Sequence, residues 1–369
     1  MKRINTCFNS DSLAGRNERL SMVRWFPIGV AMFAIILTGC SNNEKNIPDV
    51  SGINVAVQVN RFDQEFFSID TNNVEPSINA VNAKYPTLLP IYLENIIGVS
   101  DPAGVRTFFR LYKPVYDTAQ KIYKNFDPVK DELLDAFRFV KHYFPEYVLP
   151  AKVVPVVGPM NSIQDLARMG NGDYTPNFLG QDFVGISLQF YLGANFSLYS
   201  NEYFISNVAP TYRSRRFAKE YIVADVMKLI VEDLFPDMSK GKPLVQQMIE
   251  KGKQWWLLDK LMPREADSVK TGYTEKQLDW CNDNEALIWS YIVKNEDLNS
   301  VNPVTLQTYI GEAPFTQGFS QEFSPGNLGQ WIGWQIVKKF EEKNPDMTPS
   351  ELMKTDPRRI LEEAKYKPK

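Results

Sequence analysis

The sequence predicts an α+β protein, with a small β-sheet joined to a predominantly helical body. Residues 53–60 alternate apolar and polar, which is typical of a half-buried strand. Two further short segments predict two more strands: 151–157, which is rich in β-branched residues, and 183–189. Elsewhere the apolar residues recur at helical spacing, and after Gly193 they do so almost to the end of the chain.

The helical periodicity also predicts where the individual helices lie. They are expected near residues 76–85, 105–126, 128–143, 215–234, 244–261, 274–295, 303–309 and 328–342. Two short helices, 349–353 and 357–364, each begin with a proline, which is favoured at the first helical position. Within the second strand, Pro155 predicts an edge position or a bulge, because proline cannot donate to a ladder. Residues 170–180 predict a long loop.

The amino-terminal segment has the pattern of a bacterial lipoprotein signal peptide. An arginine-bearing leader precedes the apolar run 25–37, which the stretch Leu37-Thr38-Gly39-Cys40 closes. The run is shorter than the roughly 20 apolar residues that span a bilayer. We therefore expect cleavage before Cys40, which then carries the lipid. A short uncut anchor or a buried helix is the alternative, and Met22 would begin a leader of more usual length.

This interpretation divides the chain into three parts. Residues 1–39 are the signal peptide, residues 40–52 a lipidated polar tether, and residues 53–369 a single α+β domain. The lipid is expected to hold the protein in the membrane of the cell envelope. Ser41 directly after the cysteine favours the outer membrane over the inner one, by analogy with other lipoproteins.

The charge balance bears on possible partners. The formal net charge is −3, and the leader carries more basic than acidic residues, so its removal leaves a more acidic body. An acidic body without a basic run argues against binding to nucleic acid and to anionic lipid. The expected partners are therefore the membrane that holds the lipid and other proteins of the envelope.

The histidine and cysteine content excludes several kinds of active site. His142 is the only histidine, so an HExxH zinc site is excluded, and a Cys/His cluster or a histidine-based triad needs residues that the chain mostly does not possess. We expect it on a helix surface, beside the apolar stripe. Loss of Cys7 with the leader and lipidation of Cys40 leave Cys281 alone, as a buried thiol without a disulfide. No metal and no cofactor are expected, whereas glycoside hydrolysis by carboxylates alone remains open.

Three arginines directly before a predicted helix are candidate contacts for an anion or a partner. Arg213, Arg215 and Arg216 precede the helical segment, where a phosphate or carboxylate would also meet the helix amino terminus. Ordinary salt bridges or exposure to solvent are the more common use of such residues. Further along, Asp225 lies close to the apolar side of the same helix and, if buried, needs a cation such as Arg61.

A glycine- and tryptophan-rich stretch near the carboxyl terminus has two interpretations. Gly326, Gly329 and Gly333 are spaced for close approach of another backbone, which favours tight helix packing. The phosphate-loop interpretation fails, because the GxGxxG order and the Walker lysine are absent. The alternative is an aromatic shelf, in which Trp331 and Trp334 contact a glycan or a partner peptide.

Several short stretches follow one another in a fixed order along the chain. They are the lipobox at Cys40, residues 59–67 (Val59-Asn60-Arg61-Phe62 and onward), Ile186 to Gly193, Arg215-Arg216-Phe217 with Glu220-Tyr221-Ile222, Gly272-Tyr273-Thr274, Trp280-Cys281, Asn284-Glu285, Ile288-Trp289, and Ser324 to Val337. Their order and spacing resemble the gliding-motility lipoprotein GldB family over essentially the whole mature chain. The resemblance implies an envelope lipoprotein needed for surface gliding and linked to type IX protein secretion, and it implies no defined reaction.

A second similarity concerns the scaffold. The order of strand, strand, long helix and second helix is similar to that of metallopeptidase-like envelope proteins, in which an HExxH helix is followed by a helix carrying Glu-Gly. Here residues 217–234 would form the first helix, and the second would contain Ile249-Glu250-Lys251-Gly252. The first segment lacks histidine and Lys251 interrupts the pair in the second, so such a scaffold would lack its metal ligands.

Two functions from different classes remain. The first is a non-catalytic lipoprotein that supports gliding motility or the associated secretion machinery through protein contacts. The second is an envelope protein that acts on or binds glycans with carboxylates and aromatic residues and without a metal. The single histidine and the GldB-like stretches favour the first.

Overall fold

A computed structural model describes residues 47–99, 101–162, 176–295 and 298–369. Four short strands pair within these ranges: β1 (Gln58–Val59), β2 (Lys152–Val156), β3 (Phe178–Leu179) and β4 (Phe183–Ser187). They form one sheet of order β1-β2-β4-β3, in which β3 alone runs antiparallel to its neighbour. All five residues of β4 are buried, so both faces of the sheet are covered at this strand.

The helices account for most of the described chain. Those that precede β2 are α1 (Phe62–Phe66), α2 (Val74–Lys84), α3 (Leu88–Ile91, continued by a π-helical turn over Tyr92–Ile96), α4 (Pro102–Ile122) and α5 (Asp127–Tyr143). The first that follow β4 are α6 (Glu202–Asn207), α7 (Thr211–Ser214) and α8 (Ile222–Leu234). The remaining helices are α9 (Leu244–Leu261), α10 (Asp267–Thr271), α11 (Glu275–Asp283), α12 (Glu285–Asn295), α13 (Pro303–Ile310), α14 (Leu328–Lys343), α15 (Pro349–Lys354) and α16 (Pro357–Ala364). The predicted α+β class with a helical body is confirmed.

The first predicted strand is shorter than its sequence pattern. Residues 53–60 alternate between exposed and less exposed positions, as predicted, but only Gln58 and Val59 pair with β2. The ladder begins where Gln58 N–H donates to Ala151 O at 2.9 Å. The next donor in this register is Ala151 N–H, which donates instead to Asp182 O at 2.9 Å, so the preceding residues of the segment find no donor there.

Pro155 lies in the central strand β2, so the predicted edge position is wrong. Its missing N–H is harmless because β1 ends at this point. The next acceptor along β1 is Asn60 O, and this oxygen accepts instead from Phe62 N–H at 2.7 Å, where α1 begins. The proline therefore coincides with the end of one ladder and leaves the pairing of β2 with β4 intact.

Two predicted helices are each divided in the structure. The segment 215–234 begins with a turn and a short 3₁₀ segment, Lys219–Tyr221, before α8. The segment 274–295 is divided at Asn284 into α11 and α12. The segment 244–261 matches α9 at both ends, and α9 makes its most extensive helix contact with α14.

The packed body begins earlier than the predicted boundary at residue 53. Val50, which falls in the predicted tether, is 3% exposed and belongs to the core. The signal peptide and Cys40 lie outside the described residues. Within the described ranges, no helix combines the length and the apolar character that crossing a membrane requires.

Candidate functional site

The three predicted arginines lie together in the turn between α7 and α8. Arg216 N–H donates to Arg213 O at 3.0 Å and Phe217 N–H donates to Ser214 O at 3.0 Å, so the backbone winds tightly through the arginine segment. Phe217 anchors the turn, since it is buried against the rings of Phe190 and Tyr199. The guanidinium groups are therefore attached to a fixed piece of backbone.

Arg213 and Arg216 share one carboxylate. Each guanidinium donates through Nη2 to a different oxygen of Glu312, which follows α13 in the sequence. The side chains of Arg213, Arg216 and Glu312 are 10%, 24% and 28% exposed, so the triad is mostly shielded from solvent. Burial acts to raise the pKa of Glu312, but the two guanidiniums outweigh it and hold the pKa below its ordinary value.

Arg215 has a different environment. Its Nη2 donates to the neutral carbonyl of Gly272, and its side chain also interacts with Tyr221. Burial and the neighbouring Arg216 lower the pKa of Arg215, while Tyr221 and Glu312 oppose this. We call Arg213, Arg215, Arg216 and Glu312 the arginine cluster. It holds three guanidiniums and one carboxylate.

Gly272 is required at its position for two reasons. It ends α10 with a φ of +74°, a left-handed conformation that glycine adopts without strain. A Cβ atom there would also lie 2.7 Å from Nη1 of Arg216. The arginine cluster therefore packs directly on the end of α10.

Tyr273 connects this end of α10 to the start of α14. Its hydroxyl donates to Gly326 O at 2.8 Å, and two oxygens of Asn327 lie at 3.1 and 3.3 Å. Gly326 in turn lies against Ala313, next to Glu312, since a Cβ on Gly326 would stand 2.1 Å from Ala313 O. Three sequence stretches that lie far apart along the chain, around residues 215, 272 and 326, thus meet at the arginine cluster.

Trp331 and Trp334 are not at the surface. The two residues are 0% and 2% exposed, and the indole of Trp334 donates to Asp259 Oδ2 at 2.9 Å. This corrects the alternative of an aromatic shelf, because neither ring is accessible to a glycan or a peptide in this fold. The neighbouring glycine Gly333 lies against Met248 O, as close helix packing requires.

Asp225 is neutralised by a residue other than the one expected. Lys228, one turn along α8, lies 3.0 Å from its carboxylate, and the Tyr191 hydroxyl donates to the same group at 3.1 Å. Arg61 is instead bidentate with Asp63, at 2.9 and 2.7 Å. The reason is local, since Asp63 lies two residues from Arg61 and is itself buried.

Two other sequence expectations are confirmed. His142 is exposed on α5, and Cys281 is a free, fully buried thiol on α11. Burial raises the pKa of the Cys281 thiol, which makes it a poor nucleophile. Among the described residues, no group of three or more His, Cys, Asp or Glu is placed to hold a metal ion.

A second polar region lies at the amino ends of β2 and β4. A groove of about 500 Å³ is lined there by, among others, Lys84, Lys152 and Asp182. Lys152 is paired with Asp182 at 2.6 Å and Lys84 with Glu65 at 2.6 Å. Each of these two lysines is thus paired with one carboxylate, whereas the arginine cluster has three guanidiniums and only one carboxylate.

Sequence reasoning missed Glu312 as the residue that joins two of the arginines. A signal was present, because Glu312 and Glu322 are the only charged residues between Pro303 and Gln330. A carboxylate in such a weakly charged stretch, if it becomes buried, needs a partner of opposite charge. The sequence does not say which cation provides it, since Arg213 and Glu312 are about a hundred positions apart.

The fold and the cluster describe a helical α+β protein in which, among the described residues, two of three clustered arginines share one carboxylate. Residues 43–368 match the family described as gliding motility protein GldB, and the chain belongs to this family. No match was found among curated proteins or among solved structures. The similarity to metallopeptidase-like envelope proteins therefore stays a prediction.

Proposed function

We propose that this protein is an envelope lipoprotein, held in the membrane through a lipid on Cys40, that supports gliding motility and the associated type IX secretion machinery. It acts through contacts with other envelope proteins and catalyses no reaction of its own. The observation that carries this proposal is the match to the GldB family over residues 43–368. The outer membrane is the proposed location, because Ser41 follows the cysteine.

The state of the interior titratable groups supports a structural role. Buried carboxylates that an enzyme would use are neutralised by fixed partners: Asp63 by Arg61 at 2.7 Å and Asp259 by Lys270 at 2.5 Å. Breaking a buried pair of this kind is strongly destabilising, so these carboxylates contribute to the stability of the fold. The only histidine is exposed on α5 and lies outside this network.

The proposal is tested by deletion of the gene and complementation in parallel with the wild type and with Cys40→Ala. Colony spreading and the secreted proteome are scored, and an immunoblot verifies that both proteins accumulate. We expect the deletion to lose spreading or secreted cargo, and only the lipidated protein to restore it. Cys281→Ala is the matched control, because it removes a cysteine that cannot carry the lipid, and it should restore both phenotypes.

Unchanged spreading and secretion in the deletion strain would refute the proposed role. Full rescue by Cys40→Ala would refute the lipid anchor and leave the motility role in place. A non-catalytic role makes a further demand: replacement of single carboxylates such as Asp225 by the isosteric amide should leave gliding intact, provided that the fold and abundance are unchanged.

A further inference from the structure

We propose that Arg215 and Arg216 bind a carboxylate side chain of a protein partner at the open side of the arginine cluster. The inference deepens the proposed function and rests on it for the partner being an envelope protein. The binding itself is a property of this chain and can be tested separately.

The charge inventory of the cluster is the first argument. Both oxygens of Glu312 are taken, one by Arg213 and the other by Arg216. The four residues therefore carry three formal positive charges and one negative charge. The chain as a whole is nevertheless acidic, with a formal net charge of −3. A local positive excess in an acidic protein is a place where a partner's negative charge is favoured.

Arg215 is the one arginine of the cluster for which no ion pair is found among the described residues. Its hydrogen-bond partners are neutral, namely the carbonyl of Gly272 and the side chain of Tyr221. Burial and the like charge of Arg216 lower the pKa of Arg215, and Tyr221 and Glu312 oppose this only in part. A second carboxylate would relieve the repulsion between the two guanidiniums and offset the cost of their partial burial.

Several other arginines and lysines of the body have carboxylate partners, and a comparison with them shows how the environment of Arg215 differs. Arg61 has its own carboxylate in Asp63, and Arg359 has Glu363 at 2.7 Å. Lys270 has two carboxylates, Asp259 at 2.5 Å and Asp267 at 2.7 Å. Arg215 departs from this pattern, although it is half-buried and its desolvation makes an anion more valuable there than at the surface.

The chemistry of the ligand follows from what the cluster already binds. Glu312 demonstrates that a planar carboxylate fits between two of these guanidiniums, and arginine forks match carboxylates in this way. Arg216 is 24% exposed and the flanking Lys219 is exposed, so a side chain can approach from solvent. Because the positive cluster is small and the chain as a whole is acidic, a single carboxylate on a peptide fits better than an anionic membrane surface.

The test uses the full lipidated chain, purified in a nonionic detergent, and a fluorescently labelled hexaglutamate peptide as the probe. Fluorescence anisotropy measures its dissociation constant for the wild type, for Arg215→Gln and for Arg359→Gln. The last variant is the matched control, because it removes the same charge from an arginine that is 53% exposed and already paired. We expect Arg215→Gln to weaken binding about tenfold or more and Arg359→Gln to leave it unchanged.

A second variant is expected to bind the probe more tightly, a result that loss of folding cannot produce. Glu312→Gln removes the internal carboxylate, so the cluster gains positive charge and should bind hexaglutamate several-fold more tightly. A merely misfolded protein would not show a gain, and circular dichroism checks the fold of each variant. Hexaglutamine, which carries no charge, should not compete with the labelled probe.

Several results would overturn the inference. They are the absence of binding by the wild type, equal losses in Arg215→Gln and Arg359→Gln, no gain in Glu312→Gln, and displacement of the probe by inorganic phosphate at lower concentrations than by free hexaglutamate. The last result would identify a phosphate site. Failure of the proposed function is distinguishable, since it would appear as normal gliding in the deletion strain whether or not hexaglutamate binds.

Discussion

Gly333 of α14 lies directly against the main chain of Met248 in α9. A Cβ atom on residue 333 would stand 1.7 Å from Met248 O, and one on Gly252 would stand 2.2 Å from the carbonyl carbon of Gly333. The two helices thus touch backbone to backbone. This close approach lets Trp255 and Trp334 meet edge to face, with 5.8 Å between ring centroids. The glycines near the carboxyl terminus therefore serve packing of the core.

Gly333→Ala is expected to destabilise the protein strongly. The added methyl group overlaps backbone atoms, which cannot rotate away, so the helices must separate and the packing around Trp334 is lost. We expect the free energy of unfolding to fall by about 2 kcal/mol or more, measured by urea denaturation. Gly52→Ala is the matched control, because nothing lies within 4 Å of a Cβ at that position. Equal effects of the two substitutions would contradict the close contact.

Gly272→Ala tests the packing of Arg216 on the end of α10. Gly241 has a similar backbone, with φ of +80° against +74°, but nothing lies within 4 Å of its Cβ position. Both substitutions carry the cost of a left-handed alanine, about 1 kcal/mol. Only Gly272→Ala also displaces Arg216, so its loss in unfolding free energy should exceed that of Gly241→Ala by about 1 kcal/mol or more. Equal losses would show that the guanidinium moves aside freely.

The sequence predicts the helices well where the apolar period is long and uninterrupted. The stretch 244–261 is an example, because its period and the flanking prolines Pro243 and Pro263 define both ends of α9. The length of β1 could not be predicted in the same way. It depends on where β2 offers donors and acceptors, and β2 lies almost a hundred residues away along the chain.

The candidate site is predictable only in part for the same physical reason. A local pattern marks the three arginines before a helix, but their environment is set by contacts between distant segments. Glu312 and Gly272, which take the hydrogen bonds of the cluster, lie about a hundred and about sixty residues further along the chain. The burial of Trp331 and Trp334 is likewise a property of the α9–α14 contact, which a periodicity within α14 alone does not reveal.

Glu312→Gln is expected to destabilise the protein in a pH-dependent way. The pKa of Glu312 is held below its ordinary value of 4.5 by Arg216 and Arg213, which outweigh burial. A carboxyl whose pKa is lower in the folded state stabilises it fully above 4.5, and this contribution is lost as pH falls toward the folded-state pKa. At pH 7 we expect a loss of about 1–3 kcal/mol, since the triad is only partly buried.

The measurement for Glu312 is urea denaturation of wild type and variant between pH 3 and pH 7. The difference in unfolding free energy should be constant at neutral pH and should shrink as the pH falls below about 4.5. Glu351→Gln provides a control at an exposed helix cap, where hydrogen bonds from Thr348, and no guanidinium, lower the pKa of the carboxyl, so its effect should be smaller than that of Glu312→Gln. A difference between wild type and Glu312→Gln that does not change with pH would mean that the carboxylate charge does not stabilise the triad.

Lys270→Met is expected to be among the most damaging single substitutions in the body. Lys270 and Asp259 are 1% and 6% exposed, and their charged atoms lie 2.5 Å apart. Burial acts to lower the pKa of Lys270, but Asp259 and Asp267 outweigh it and the pKa is raised. Removal of the ammonium leaves the Asp259 carboxylate buried with one hydrogen bond, from the Trp334 indole at 2.9 Å, and a long ion pair with Lys338 at 3.8 Å. We expect a loss of about 3–5 kcal/mol in the free energy of unfolding.

The double variant Lys270→Met with Asp259→Asn separates two contributions to the free energy of unfolding. One is the stabilisation by the ion pair, and the other is the destabilisation caused by a buried carboxylate that has lost its lysine partner. Asparagine retains an oxygen that can accept from the Trp334 indole, and it carries no charge to bury. The double variant should therefore be more stable than Lys270→Met alone, and a double-mutant cycle should give a coupling energy of about 1–3 kcal/mol. Additive losses would mean that the two residues do not depend on each other, and the 2.5 Å contact between them would then carry no stabilising interaction.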